Sequence, residues 1–288
     1  METLIFSCMC ISALLHAYWN FLLKSAEQPN LFIALSKILE ASIFLLPFLY
    51  FQQQHALTLN QLYVVVIAAL LVFFSYYCLA LAYLHLDMSI AYPVSRSSTL
   101  FLPIIAWLFL NEQLDATGFS ALILITSGVV LLSFTGSKPV SNHTAKLSMK
   151  GIILALAVAL ISALQTVWSK IAIAQIHPFI FFYSYTLLVA VGYAVLVLIK
   201  YKADEIHQQL SQHWPAMSLV AVLNTASYGL FLYALSKANT AYVGSLRQLS
   251  LVFALLFGYW LLKEPLTSHK LLGTLIIIAG TILFTLAQ

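Results

Sequence analysis

Ala91-Tyr92-Pro93-Val94-Ser95-Arg96-Ser97-Ser98 and Ala241-Tyr242-Val243-Gly244-Ser245-Leu246-Arg247-Gln248 are the two stretches that decide how this chain folds. They stand about 150 residues apart, and each places an arginine inside an apolar run that ends near a glutamate, Glu112 or Glu264. A charge inside an apolar run is costly in lipid, so it indicates a helix that faces protein or water within a membrane. We expect the two glutamates to cap or order tight turns.

The composition excludes a soluble protein. Hydrophobic residues make up 62% of the 288 residues and charged residues only 8%, whereas a soluble domain carries about 25% charged residues. The net charge of +4 forms no basic stripe, which excludes nucleic acid as a partner. The expected partners are membrane lipids and a small-molecule substrate, with monomer and homodimer both open.

Ten stretches approach or exceed the roughly 20 apolar residues that a membrane-spanning helix needs. Two connections between them are long and polar, at 135–150 and 200–214. We therefore predict an all-α membrane protein of ten transmembrane helices, over about 3–23, 31–51, 61–84, 88–110, 117–134, 151–173, 178–199, 215–235, 239–262 and 270–286.

The ten stretches divide into two similar halves. Residues 1–134 form the first predicted five-helix repeat, 135–150 a polar connecting loop, and 151–288 the second repeat. Besides the arginine segments, small residues match 152 positions apart, Ala121 with Gly273 and Gly128 with Gly280. Because five is odd, the second copy crosses the membrane in the opposite direction, which predicts a 5+5 inverted-topology repeat.

Ten spans, the duplication, the two arginine segments and the Asn-Glu and Lys-Glu turns that close them resemble the EamA-type branch of the drug/metabolite transporter superfamily. The resemblance covers essentially the whole chain. It implies export of amino acids or other small metabolites, driven by a proton gradient or by exchange. It also implies that both termini are cytoplasmic.

Arg96 and Arg247 are the first candidates for substrate binding. Each lies eight residues into its span, where an arginine costs about 2.5–3.5 kcal/mol in lipid. Pro93 and Gly244 precede them, and loosened helices beside repeat-related charges are typical of transport sites. A guanidinium suits a carboxylate or phosphate. The alternative is an arginine that ties its own half together or reaches the membrane surface.

Lys37 and Glu40 lie three residues apart in the second span and can therefore pair. The matching positions of the seventh span, near Ser184 and Leu187, carry no charge. Glu40 is the only acidic residue well inside a predicted span, so it is the candidate for proton coupling. A structural ion pair is the alternative.

Further candidate substrate-binding residues are polar or aromatic side chains on helix faces that the repeat matches. Interhelical hydrogen bonding is the alternative for each of them. They are His16, Trp19 and Asn20 in the first span, Gln165 and Trp168 in the sixth, Tyr228 in the eighth, and Tyr92 and Tyr242 beside the arginines. Asn224 and Gln248 rank behind them.

These patterns favour a secondary transporter of a small anionic or zwitterionic metabolite, such as an amino acid, working by alternating access in a bacterial inner membrane. A flippase for a lipid-linked head group is the alternative. The sequence contains no nucleotide-binding motif and no catalytic or metal-ligating constellation. We therefore expect no enzymatic activity, no cofactor and no metal.

Lysines bear on the orientation. Face A denotes the membrane face that bears the N-terminus, and face B the opposite one. By the positive-inside rule, the face with more lysines is cytoplasmic, which puts both termini outside. Face A has Lys170 and Lys237, while face B has Lys24, Lys138, Lys146, Lys150, Lys200, Lys202, Lys263 and Lys270.

Overall fold

The protein was analysed as a computed structural model that describes residues 2–24, 26, 28–85, 94–95, 97–134, 148–262 and 267–286. Every regular element in these ranges is a helix, and none of the described residues forms a strand. The predicted all-α class is therefore confirmed for the described part of the chain.

The helices follow the predicted apolar stretches closely. Val94 and Ser95 are helical as well. The bounds are α1 Glu2–Lys24, α2 Pro29–Ile43, α3 Leu45–Gln54, α4 Leu59–His85, α5 Ser98–Leu110, α6 Ala116–Phe134, α7 Met149–Ile173, α8 Pro178–Lys200, α9 Ala203–Lys237, α10 Thr240–Leu246, α11 Leu249–Leu262 and α12 Ser268–Leu286.

Turn residues set several of these bounds. Pro29 and Pro178 stand at the first position of α2 and α8, where the missing backbone N–H costs nothing. Asn111 closes α5 in the left-handed conformation, with φ 56°, which asparagine tolerates. Asp115 then opens α6 by accepting a 2.7 Å hydrogen bond from the backbone N–H of Gly118.

The predicted long connection at 200–214 is wrong. Only Tyr201 and Lys202 separate α8 from α9, and the polar residues that follow form the first turns of a 35-residue helix. Glu205 accepts a 2.8 Å hydrogen bond from the backbone N–H of Lys202, and Asp204 adds negative charge at the positive end of the helix. The polar residues at 203–214 belong to a helix, although their composition is also typical of a loop.

Among the described residues, six helices are long and apolar enough to cross a membrane, namely α1, α4, α7, α8, α9 and the run of α10 with α11. The pair α2 and α3, bent by 48°, makes a seventh candidate if it is one span. The three remaining stretches contain the shorter apolar helices α5, α6 and α12. The ten-span, 5+5 arrangement stays a prediction.

The helices pack into two compact units, and each unit takes chain from both predicted repeats. Unit 1 comprises Met1–Ala69 and Ile171–Ser236, and unit 2 comprises Leu70–Lys170 and Lys237–Gln288. In unit 1, α2 packs along α8. In unit 2, α6 packs along α12 and α5 against α10. The division of the chain into repeats at 134 and 151 stays a prediction.

The crossing of α6 and α12 depends on matched small residues. A Cβ on Gly128 would lie 2.8 Å from the carbonyl oxygen of Gly273, and a Cβ on Gly280 would lie 3.0 Å from that of Ala121. All four residues of the two aligned pairs thus lie at the crossing, where Gly128 faces Gly273 and Gly280 faces Ala121. Small residues let two membrane helices approach this closely.

Candidate functional site

The charged pair predicted in the second span is present in α2. Lys37 Nζ lies 2.7 Å from Glu40 Oε2. Only 1% of Glu40 and 9% of Lys37 is exposed, so both groups are withdrawn from solvent. A buried charge is tolerated when it is paired and hydrogen-bonded, and the pairing that the three-residue spacing predicted is confirmed.

Two residues of α9 complete the environment of Glu40. Asn224 Nδ2 and Thr225 Oγ1 each donate a 2.8 Å hydrogen bond to Glu40 Oε1. Both oxygens of this buried carboxylate therefore accept hydrogen bonds. This arrangement fixes α2 against α9 within unit 1, and the proton-coupling role of Glu40 stays a prediction.

The first-span candidates divide between polar and apolar surroundings. Asn20 Nδ2 donates a 2.6 Å hydrogen bond to the carbonyl oxygen of His16, one turn earlier in α1. The rings of His16 and Trp19 meet edge to face with centroids 5.1 Å apart. Trp19 is only 7% exposed and belongs to an apolar cluster with Leu31, Phe32, Ala34, Leu35, Val197, Met217 and Val220.

Two further contacts within unit 1 involve α9. Ser12 Oγ donates to the carbonyl oxygen of Ser227 at 2.7 Å, and Ser227 Oγ donates to that of Ser12 at 2.8 Å, which ties α1 to α9. Tyr228 lies in an aromatic cluster, 5.1 Å from the ring of Phe182 and 5.3 Å from that of Phe231. Tyr228 is thus a packing residue in this structure, and its substrate-binding role stays a prediction.

Two histidines stack in unit 1. The rings of His55 and His177 lie 4.6 Å apart and nearly parallel, and Phe51 stacks on His177 at 5.4 Å. Burial, and then the neighbouring imidazole of His55, lower the pKa of His177 below its ordinary value. The neutral imidazole is therefore favoured at this position.

In unit 2 the ninth predicted span runs as one candidate span over Thr240–Leu261, and a local turn interrupts its helix at the arginine. Helix α10 ends at Leu246, Arg247 and Gln248 form a turn, and α11 begins at Leu249. The backbone N–H of Gln248 bonds to the carbonyl of Ser245, three residues back, at 3.0 Å. Such a tightened turn ends the regular helical pattern.

The first repeat shows the same turn in the same register. The backbone N–H of Ser97 bonds to the carbonyl of Val94 at 3.2 Å, and α5 begins at Ser98. Arg96 and Tyr92, predicted as substrate ligands, lie outside the described residues.

Buried polar atoms cluster at the break in the ninth span. Ser245 is 1% exposed and Gln248 is 5% exposed. Ser245 Oγ and Gln248 Oε1 have no hydrogen-bond partner within the described ranges. Arg247, partly buried, lies between them in the chain. Unsatisfied buried polar groups are rare in native proteins, and each needs an explanation.

Gly244 has a different role from the predicted one. It lies inside α10, and the helix breaks three residues later. A Cβ at this position would collide with Leu102 Cδ2, so the glycine allows α10 to approach α5 closely. The break therefore coincides with the arginine itself rather than with the glycine.

The remaining candidates lie in different surroundings within unit 2. Gln165 and Trp168 are partly buried on α7, and Tyr242 is buried on α10 with its ring 5.6 Å from that of Phe284. Glu112 accepts from the backbone N–H of Thr240 at 2.7 Å and from Thr240 Oγ1 at 2.8 Å. Glu112 thus caps α10 rather than its own turn, and Glu264 lies outside the described residues.

The sequence could not indicate Thr225, because hydroxyl side chains are common in apolar helices, whereas Ser245 is matched by Ser95 in the repeated segment. Gln248 and Asn224, which carry amide side chains, are only second-rank candidates. Within the described ranges, no three His, Cys, Asp or Glu side chains are grouped so that they could hold a metal ion.

Apolar helices of this length, with charges satisfied inside the protein, define an integral multi-pass membrane protein. The profile of the EamA-like transporter family matches residues 3–134 and again 149–286. The chain belongs to this family and is a transporter of the drug/metabolite type, a class that is generally non-enzymatic.

No curated protein matches the chain. Among solved structures, 29 chains are similar to it. One of them, described only as "Crystal structure of protein", is 16% identical with a TM-score of 0.79, over 99% of this chain and 96% of its own length. At that level of identity the likeness shows the fold alone.

Proposed function

We propose that this protein is a secondary transporter that exports a small anionic or zwitterionic metabolite, such as an amino acid, by alternating access across the inner membrane of a bacterium. The observation that carries the proposal is the break of a span at Arg247, beside the buried Ser245 Oγ and Gln248 Oε1. Transporters bind substrate at such discontinuous helices.

The chemistry of the break suits a carboxylate. A guanidinium offers a planar pair of donors that matches a carboxylate. Ser245 Oγ can donate to or accept from a substrate, and Gln248 Oε1 can accept from its ammonium group. A zwitterion would therefore satisfy both kinds of group.

We further propose that the ten apolar stretches are ten spans in two inverted repeats. The helices that pack most closely are repeat counterparts, α2 with α8 and α6 with α12. Hydrogen bonds also join connections that a ten-span count puts on one face. Gln61 Nε2 donates to the carbonyl of Gln175 at 2.6 Å, and Thr240 donates to Glu112.

Orientation follows from charge in this proposal. Face B carries eight of the ten lysines that flank the predicted spans, so face B is the cytoplasmic side and both termini lie outside. An alkaline phosphatase fusion at the C-terminus would be active, and a cytoplasm-only reporter at the same position would be silent. The opposite outcome supports the cytoplasmic termini that the family resemblance implies.

Untargeted profiling of the growth medium tests the transport function. Cells that express the wild type should accumulate anionic or zwitterionic solutes in the medium, and cells that express Arg247→Ala at equal membrane abundance should not. Lys150→Ala is the matched control, because it removes an exposed cation from the start of α7. Identical media from the wild-type and Arg247→Ala cells would refute the proposal.

A further inference from the structure

Unit 1 contains a cleft. None of the residues named in the proposed function lines it. The cleft has a volume of about 210 Å³ and lies between α8 and α9. The residues of α9 that line the cleft are three or four positions apart, so they form one stripe along that helix. The lining residues are His177, Pro178, Phe179 and Phe182 on the α8 side, and Thr225, Gly229, Tyr233 and Ser236 on α9.

Two aliphatic hydroxyl groups of the cleft, those of Thr225 and Ser236, can act only as acceptors towards a ligand. Thr225 Oγ1 already donates its hydrogen to Glu40 Oε1 at 2.8 Å. Ser236 Oγ donates its hydrogen to the carbonyl oxygen of Tyr233 at 2.7 Å. Each oxygen retains lone pairs. Since the pKa of His177 is lowered, the lining has no formal charge at neutral pH.

Aromatic rings form much of the remaining wall. The ring of Phe182 stacks on Tyr228 at 5.1 Å, and the ring of Phe179 lies 5.4 Å from that of Phe51. Tyr233 supplies a third ring on α9. An apolar cavity of about 150 Å³ holds benzene. A volume of about 210 Å³ is therefore suited to one aromatic ring or two fused rings.

We propose that this cleft binds a small uncharged aromatic molecule with a single hydrogen-bond donor, of the phenol or indole class. The ring packs against Phe179, Phe182 and Tyr233, and the O–H or N–H group donates to Thr225 Oγ1 or Ser236 Oγ. The ligand thereby contacts the hydroxyl that holds Glu40. Occupancy of the cleft is linked in this way to the polar contact between α2 and α9.

Fluorine NMR with 5-fluoroindole tests the site on the full-length protein in lipid nanodiscs. A Cβ at Gly229 meets no atom within 4 Å, so Gly229→Phe can extend into the cleft. Wild-type protein should show saturable binding that Gly229→Phe abolishes. Ala226→Phe is the matched control, since it adds the same ring to the same helix at an exposed position that does not line the cleft.

The donor requirement is tested with 5-fluorobenzothiophene, which has the same two-ring shape and no N–H group. It should bind about two- to tenfold more weakly than 5-fluoroindole, the effect of one lost hydrogen bond. Equal affinities overturn the assigned ligand class. Binding that never saturates, or that Gly229→Phe and Ala226→Phe reduce equally, overturns the site. If Gly229→Phe does not fold, Gly229→Leu replaces it in the same comparison.

Discussion

Three donors surround the buried carboxylate of Glu40. One is Lys37 on its own helix, and two come from α9. Coulomb attraction and hydrogen bonds offset the desolvation of both charges only while the set is complete. We therefore interpret the contacts of Glu40 as a set that orders unit 1, and its role in proton coupling stays a prediction.

Removing Glu40 alone should destabilise the protein severely. Glu40→Ala breaks the buried ion pair by removing one of its two partners, which costs about 3–5 kcal/mol. The double variant Lys37→Met with Glu40→Leu should recover most of that loss, because an apolar pair of similar volume replaces the ion pair. Unfolding free energies in mixed micelles would measure both. A Glu40→Ala protein as stable as the wild type would contradict this interpretation.

His177 makes stability depend on pH. Its pKa is lowered in the folded protein, so the unfolded chain binds more protons just below the ordinary histidine value of about 6.5. Stability should therefore be complete above that value and fall as the pH drops through it. His177→Phe preserves the aromatic stack and should flatten this dependence. Melting temperatures of both proteins between pH 5 and 8 give the comparison, and parallel profiles would contradict it.

The sequence predicted part of the Glu40 site and could not predict the rest. The spacing of Lys37 and Glu40 indicates a pair on any helix. Asn224 and Thr225 are more than 180 residues further along the chain. Their contact with Glu40 depends on which helices pack together. The local spacing of residues in the sequence does not predict helix packing.

At the level of helices, the backbones of α6 and α12 approach each other most closely at their glycines. A Cβ at Gly280 would lie 2.9 Å from the backbone nitrogen of Ile125, and one at Gly128 would lie 2.9 Å from that of Ile277. Backbone atoms cannot give way as a flexible side chain can. The two helices would have to separate to admit even a methyl group.

Gly280→Ala should therefore destabilise the protein by about 1–3 kcal/mol, the usual cost of overpacking. Gly229→Ala is the matched control, because its added Cβ meets nothing within 4 Å. That substitution should be neutral or stabilise α9 by up to about 1 kcal/mol, given the higher helix propensity of alanine. Equal effects of the two substitutions on thermal unfolding would mean that the crossing tolerates the methyl group.

The sequence predicted that the helices would be irregular near the arginines, but it did not predict the residue at which each irregularity lies. Proline and glycine ahead of the arginines indicated irregular backbone, and both repeats do have a tightened turn, at Ser97 and at Gln248. Gly244 itself serves the contact with Leu102. The polar start of α9 misled the sequence interpretation because polar helices and polar loops share a composition.

For the whole molecule, most of the prediction rests on the length of the apolar stretches and on the duplication of the sequence. They indicated the helical class, the apolar stretches and the family that the profile match then established. They could not indicate that each compact unit would combine chain from both repeats. The combination of the two repeats in one unit depends on which helix faces pack together. The number of spans does not predict this packing.

Substrate exchange in proteoliposomes tests the central claim, that the broken span at Arg247 binds a transported anion or zwitterion. Vesicles preloaded with mixed unlabelled amino acids should take up a radiolabelled amino-acid mixture through the wild-type protein. Arg247→Ala should reduce this uptake by at least about thirtyfold, the effect of losing one partner of a buried charged contact. Lys150→Ala should exchange at the wild-type rate. Arg247→Ala protein that is fully incorporated and exchanges as fast as the wild type would contradict the account.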